Sequence, residues 1–207
     1  MNNVWNKLIY KIWSPFYDRF FNSGYFYKAR NLIFQQMNLN SNQKILFVGV
    51  GTGADLELID HENLDITAID FSPDMLEKAK KKFKHSSIKF LEMDAQDMSF
   101  ADGQFDLVIG SLILSVVPDA DQGFREMIRV LHQDGEIILF DKFSTKGKEL
   151  SLMKKSIRPL IKVLGTDIGL NFEELYDKHR RKLILKEDIP VMFNGMYRKI
   201  VVSKHST

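Results

Sequence analysis

Lys44-Ile45-Leu46-Phe47-Val48-Gly49-Val50-Gly51-Thr52-Gly53 is the stretch that decides the fold. Its first half is a short apolar run that reads as a buried strand. Its second half places glycine at every other position. Such a turn can double back sharply and leave main chain uncovered, so that a ligand can lie directly on the backbone. Two more runs follow. Asp65-Ile66-Thr67-Ala68-Ile69 reads as a second strand and ends in Asp70, and Ile88-Lys89-Phe90-Leu91-Glu92-Met93 reads as a third and ends in Asp94. In an open α/β sheet, ligands bind outside the carboxyl ends of the strands, which is where both acids fall.

The pattern continues outward in both directions. The spacing predicts a helix over about 54–61 and another opened by Ser72-Pro73-Asp74, with Ser72 at the N-cap and Pro73 at the first helical position, running to about Lys84. Phe105 to Leu112 reads as strand 4. A helix over 119–131 carries Phe124, Met127, Ile128 and Leu131 at helical spacing, and Glu136 to Phe140 reads as strand 5. Upstream, a helix is expected from about Tyr25 to Asn38, with Leu32, Ile33 and Met37 on one face. Downstream, Ile184–Phe193 and Met196–Val202 read as extended, joined at Asn194-Gly195, which is a hairpin signal. Strands alternating with helices imply an α/β, doubly wound, mostly parallel sheet with right-handed crossovers. With the terminal antiparallel pair, seven strands are expected. The stretch 146–182 is basic and reads as helical, interrupted at Gly165 and Gly169.

Composition bounds the function. The 207 residues suffice for one domain with a real core, and the net charge of +2 gives no argument for a nucleic-acid partner. The absence of cysteine removes disulfides, thiolate metal sites and thiol catalysis, and no metal is expected. No run is long enough to span a bilayer, and Lys7 and Lys11 interrupt the apolar start, which does not read as a signal peptide. Cytoplasmic residence is the expectation. The first thirty residues hold ten of the 24 aromatics, so residues 1–38 are read as an aromatic, basic lid segment preceding a domain over 39–207.

A lone glycine-rich turn is weak support for a ligand, because many α/β proteins have one for packing. Each Asp alone also has a plain reading as a cap or turn residue. Together they suit a ligand carrying a ribose and an adenine: Asp70 can accept both ribose hydroxyls, and Asp94 can accept from an exocyclic amine. A dinucleotide fingerprint would be Gly-x-Gly-x-x-Gly; here the spacing is Gly-x-Gly-x-Gly. With Ile69-Asp70-Phe71-Ser72-Pro73-Asp74-Met75-Leu76, Met93-Asp94-Ala95, Phe105-Asp106-Leu107-Val108, Asp134-Gly135-Glu136 and the closing hairpin, the chain resembles the S-adenosylmethionine-dependent methyltransferases of the class I Rossmann-like fold. The resemblance runs from Tyr17-Asp18 to the hairpin. It implies S-adenosylmethionine as cofactor, with Gly49, Val50, Gly51 and Gly53 along the methionine part and Asp70 on the ribose. It also implies Phe71 and Met75 on the adenine, Asp94 and the Ala95 amide at its edge, and Ser111 and Leu112 facing the sulfonium and the acceptor. The family usually has an acid two residues before the first glycine; this chain has Phe47 there.

Finer resemblance points to the acceptor. Ser115-Val116-Val117-Pro118-Asp119, Lys142-Phe143-Ser144, Gly147, Pro159, Leu164-Gly165 and Phe172 are similar to bacterial phospholipid N-methyltransferases, which methylate phosphatidylethanolamine as peripheral membrane proteins. Quinone-biosynthesis C-methyltransferases share many of these motifs, so a quinone precursor or another small molecule is the competing acceptor. A cofactor-binding protein with little catalysis is the third reading, kept open by Phe47. Nucleic acid is not favoured as a partner. An amine must be neutral when it attacks, and Tyr17, Asp18 and Asp141 are the candidates to orient it or take its proton. Trp5, Leu8, Ile9, Ile12 and Trp13 can share one helical face beside Lys7 and Lys11, and Lys154, Lys155, Arg158 and Lys162 are available to anionic headgroups. An anionic surface on the inner face of the membrane is therefore an expected contact.

Overall fold

The computed structural model describes residues 24–35, 37, 39–144 and 169–205. Its elements run in the order α1 (Gly24–Phe34), β1 (Lys44–Val48), β2 (Asp65–Asp70), α2 (Pro73–Lys82), β3 (Lys89–Glu92), β4 (Phe105–Ser111), α3 (Ala120–Val130), β5 (Leu131–Lys142), α4 (Phe172–His179), β6 (Leu183–Met192) and β7 (Tyr197–Lys204). The strands form one seven-stranded sheet in the order β3-β2-β1-β4-β5-β7-β6. β1 through β5 are parallel, and β7 is antiparallel to both β5 and β6. The strand order reverses between β1 and β4, so a crevice opens at their carboxyl ends.

Side-chain alternation sorts the core onto two faces. Leu46, Val48, Val108, Ile137, Leu139, Ile200 and Val202 pack with Phe124 and Met127 of α3 and Phe172 and Leu175 of α4. Ile45, Phe47, Leu107, Ile109, Ile138, Phe140 and Val201 pack with Ala29, Ile33 and Phe34 of α1 and Leu76 of α2. Both faces of the central strands are covered, which is why these strands read as continuous apolar runs.

The caps follow the sequence. Ser72 accepts the Met75 N–H at 3.4 Å, with Pro73 opening α2, and Asp119 accepts the Gln122 N–H at 3.0 Å at the start of α3. Several expectations need correction. The helix expected over 54–61 is a single 3-10 turn, Leu56–Leu58. After it, Asp60 accepts the Glu62 N–H at 3.1 Å and Asn63 takes a φ of 62°, so side chain–backbone bonding and a left-handed residue turn the chain away from a helix. α1 stops at Phe34, and it buries Phe26, Ala29, Arg30, Ile33 and Phe34. Leu32, expected beside Ile33, is 61% exposed, because the sheet takes the stripe a third of a turn away. α3 ends at Val130, and β5 begins at once at Leu131, opposite Phe105. In the terminal hairpin, Asn194 and Gly195 occupy the centre of the turn with positive φ, and the Met196 N–H donates to the Phe193 carbonyl at 3.1 Å. The helical reading of 146–182 is met over Phe172–His179; its part over 146–168 lies outside the described residues.

Candidate cofactor site

The glycine turn sits at the carboxyl end of β1. The Gly49 and Val50 N–H groups both donate to the Ile69 carbonyl at 2.9 Å, which ties the turn to the end of β2. Gly53 has a φ of 79°, and a Cβ there would stand 2.8 Å from Phe83 Cε2. At Gly49, with φ of 73°, a Cβ would stand 2.6 Å from Ile113 Cδ1. Both positions therefore exclude a side chain, through close packing on Ile113 and Phe83 and through a conformation that side-chain-bearing residues avoid.

Asp70 ties this turn to the next helix. Its Oδ2 accepts the Gly51 N–H at 2.7 Å, and its Oδ1 accepts the Ser72 N–H at 2.8 Å. Lost hydration in this enclosed position pushes its carboxyl up to about 6, against the pull of the Ser72, Gly51 and Phe71 N–H groups. No cation pairs with it among the described residues. An enclosed carboxylate held only by backbone donors fits a ligand that brings further hydroxyl donors. Beyond it, Phe71 is half-buried and Met75 is buried at the start of α2.

At the end of β3, Asp94 Oδ1 accepts from the Gln96 N–H at 2.9 Å and from Gln96 Nε2 at 3.0 Å. Gln96 Oε1 in turn accepts the Asp119 N–H at 2.8 Å, so one side chain joins the Asp94 loop to the cap of α3. Ala95 is buried beside it. Sequence reasoning missed Gln96; an amide two residues after a strand-end acid is the signal that was available.

At the end of β4, Ser111 is half-buried and Leu112 takes a φ of 54°, with its N–H donating to the Phe140 carbonyl at 2.7 Å. A leucine held in the left-handed region costs of order 1–3 kcal/mol, and such strain concentrates where a site needs a fixed backbone. Asp141 lies fully buried next door. Its Oδ2 accepts the Ser115 N–H at 3.1 Å and its Oδ1 the Lys142 N–H at 2.8 Å. Burial pushes its carboxyl above the ordinary range, opposed by the bonds from Ser115 and Lys142. Burial, with the Asp141 charge behind it, also pushes the Tyr197 phenol up to about 12.

The structure thus brings the Gly49–Gly53 turn, Asp70, Phe71, Met75, Asp94, Ala95, Ser111, Leu112 and Asp141 to the carboxyl ends of the strands. Tyr17 and Asp18 lie outside the described residues. Phe47 is 2% exposed and belongs to the core beneath α1, so the position of the family's usual acid is filled by packing. Arg30 was also missed. Its Nε donates to Asp55 Oδ1 at 2.5 Å, pinning α1 to the segment after the glycines. A charge inside the apolar stripe Phe26, Arg30, Ile33, Phe34 was its signal.

The region 46–139 matches the family model described as a methyltransferase domain. A protein named phosphatidylethanolamine N-methyltransferase, from Cereibacter sphaeroides, is 30% identical over 158 residues, covering 74% of this chain and 76% of its own length. The chain belongs to the class I S-adenosylmethionine-dependent methyltransferases. It is an enzyme of that family, and S-adenosylmethionine is its cofactor. A ubiquinone/menaquinone biosynthesis C-methyltransferase from Citrifermentans bemidjiense is 32% identical over 142 residues, 64% of this chain and 60% of that protein. Among solved structures, a chain of the complex between the Haloferax volcanii Trm112 methyltransferase activator and a methyltransferase superposes with a TM-score of 0.75 at 15% identity. It covers 97% of this chain and 98% of its own, a likeness of fold alone. When bound, the cofactor supplies a methyl group already activated on a sulfonium, so the methyltransferase has chiefly to hold and orient the two reactants.

Proposed function

We propose that this methyltransferase alkylates the amine of phosphatidylethanolamine or of its partly methylated derivatives. The observation that carries the reading is the match to the Cereibacter sphaeroides protein, which spans three quarters of both chains. The motif Ser115-Val116-Val117-Pro118-Asp119 and the residues Lys142-Phe143-Ser144 support it. In this reading Gly49, Val50, Gly51 and Gly53 lie along the methionine part, Asp70 takes the ribose hydroxyls, and Phe71 and Met75 pack on the adenine. Asp94 and Ala95 meet its edge, and Ser111 and Leu112 face the transferred group. Asp141 holds the loop from Leu112 to Ser115 through its bonds to that loop, and so positions the acceptor side. Of the segment 1–38, α1 is packed into the core, so in this reading the lid falls to residues 1–23, outside the described residues, with Tyr17 and Asp18 as its candidates to orient the amine or take its proton, at the cytoplasmic face of the membrane. Among the described residues, no helix is long and apolar enough to cross a membrane.

A quinone precursor is the second reading, favoured by the C-methyltransferase match at 32% identity. Methyl-labelled S-adenosylmethionine, incubated with purified enzyme and either detergent-dispersed phosphatidylethanolamine or a demethylated quinone, separates them. Label on the phospholipid amine is expected. Label on the quinone carbon alone sinks the lipid reading.

A further inference from the structure

Gln96 stands between the end of β3 and the start of α3, and its side-chain amide is bonded on both sides. Nε2 donates to Asp94 Oδ1 at 3.0 Å and to Asp94 Oδ2 at 3.3 Å, and the Gln96 N–H donates to Oδ1 at 2.9 Å. On the other side, Oε1 accepts the Asp119 N–H at 2.8 Å. The Gln96 carbonyl accepts from Gln122 Nε2 at 3.1 Å, and the Gln122 N–H donates to Asp119 Oδ1 at 3.0 Å. The turn itself is closed by the Asp97 N–H, which donates to the Asp94 carbonyl at 3.2 Å. Gln96 is thus held by the first turn of a helix whose Phe124, Met127, Ile128 and Val130 are in the core.

The chemistry of the partners leaves this amide one orientation. A carboxylate only accepts, and a backbone N–H only donates. The nitrogen of Gln96 must face Asp94 and its oxygen must face α3. Glutamate there would have no donor for Asp94, and asparagine is one methylene too short to span both contacts at these distances. Bonds to both oxygens fix the plane of the Asp94 carboxylate, and so the direction from which a further donor can approach. The base of the cofactor decides whether that donor exists. Adenine carries an amine at C6, whose N–H groups donate. Hypoxanthine, its deaminated counterpart, carries an oxygen there, which faces a carboxylate unfavourably. A polar group built to bond a ligand N–H rejects the analogue that lacks it, and most strongly when the group cannot turn aside.

We propose that Gln96 is a positioning residue that sets the base preference of the cofactor site: it aims the Asp94 carboxylate at the exocyclic amine of adenine and takes its own rigidity from the first turn of α3. The proposal rests on the reading above in which Asp94 meets the adenine edge.

The test is calorimetric titration of the whole chain with S-adenosylhomocysteine and with S-inosylhomocysteine, its 6-oxo counterpart. The parent is expected to prefer the adenosyl compound. Gln96→Met keeps the length of the side chain and makes neither amide bond. It is expected to narrow the preference about tenfold, the order of one hydrogen bond to a charged group. A role in holding the fold alone would weaken both compounds alike and leave their ratio unchanged. In an Asp94→Ala background, Gln96→Met should not move the ratio further, because Gln96 acts through that carboxylate. Should Gln96→Met not fold, Gln96→Asn takes its place in both comparisons with the same expectation. An unchanged ratio in the Gln96 variant overturns the proposal, and so does a further shift in the Asp94→Ala background. A parent without preference, or one whose preference survives Asp94→Ala, removes the reading of Asp94 and this proposal with it. A preference lost in Asp94→Ala but kept in the Gln96 variant removes only the role of Gln96.

Discussion

With Asp70 on the ribose as proposed, cofactor affinity should depend on pH, by an amount that can be sized. In the free enzyme its carboxyl is pushed up to about 6 by lost hydration. Two ribose hydroxyls donating to it favour the ionised form, so the cofactor selects that form and drives off the proton. The sign follows: affinity is full above the free-enzyme value and falls as pH drops through it. With a value near 6, about nine tenths of the carboxyl is ionised at pH 7 and about one tenth at pH 5, so affinity should fall about tenfold across that interval. Close to one proton should be released per cofactor bound near pH 5. Asp70→Asn removes the titration and one acceptor. It should weaken binding at pH 7 by about 1–3 kcal/mol, and the remaining affinity should be level between pH 7 and pH 5. Calorimetric titration with S-adenosylhomocysteine, in buffers of different ionisation enthalpy, reads both affinity and proton release. A parent affinity that moves less than twofold over the interval would refute the argument, as would an equal slope in Asp70→Asn.

The same interactions yield two further expectations. Arg198 is buried, donates to both oxygens of Asp188 at 2.8 and 2.7 Å and to Glu173 at 2.8 Å, and lies 5.5 Å from the ring centres of Phe143 and Phe172. Arg198→Met should cost about 3–5 kcal/mol in urea unfolding, because the enclosed Asp188, and Glu173 with it, lose their bonds from the buried guanidinium, and a loss under 1 kcal/mol would contradict this. Gly53→Ala must hold a side chain at a φ of 79° and press on Phe83. A stability loss of about 1–2 kcal/mol together with weaker cofactor binding is expected, and a variant as stable as the parent would show that the turn relaxes freely.

Much of this molecule is legible from local pattern. The strand runs at 44–49, 65–70 and 105–112 were placed to within a residue or two, because each is a short apolar run between turn residues. Ser72-Pro73 announced α2, since the cap bond spans only three residues. The acids at 70 and 94 were placed at strand ends for the same reason. The helix expected after the glycines was lost to Asp60, whose local bonding competes with helical bonding, and to the left-handed Asn63, neither of which carries a clear warning in hydrophobic spacing. Leu32 was assigned to the wrong face because several apolar residues in one helix allow more than one stripe, and only the sheet beneath selects one.

By itself, the sequence determined the alternation of strands and helices, the closing hairpin, the Ser72 cap and the places of Asp70 and Asp94 at strand ends, since these depend on residues within a few places of each other. Only the tertiary structure decided what those residues experience. Asp70 is nineteen residues from the Gly51 amide that it holds, and Arg198 is twenty-five from Glu173. Proton affinity, the strain at Leu112 and the burial of Phe47 arise from groups brought together across the sheet. Hydration and steric crowding are properties of that assembled environment, and no local run of residues encodes them.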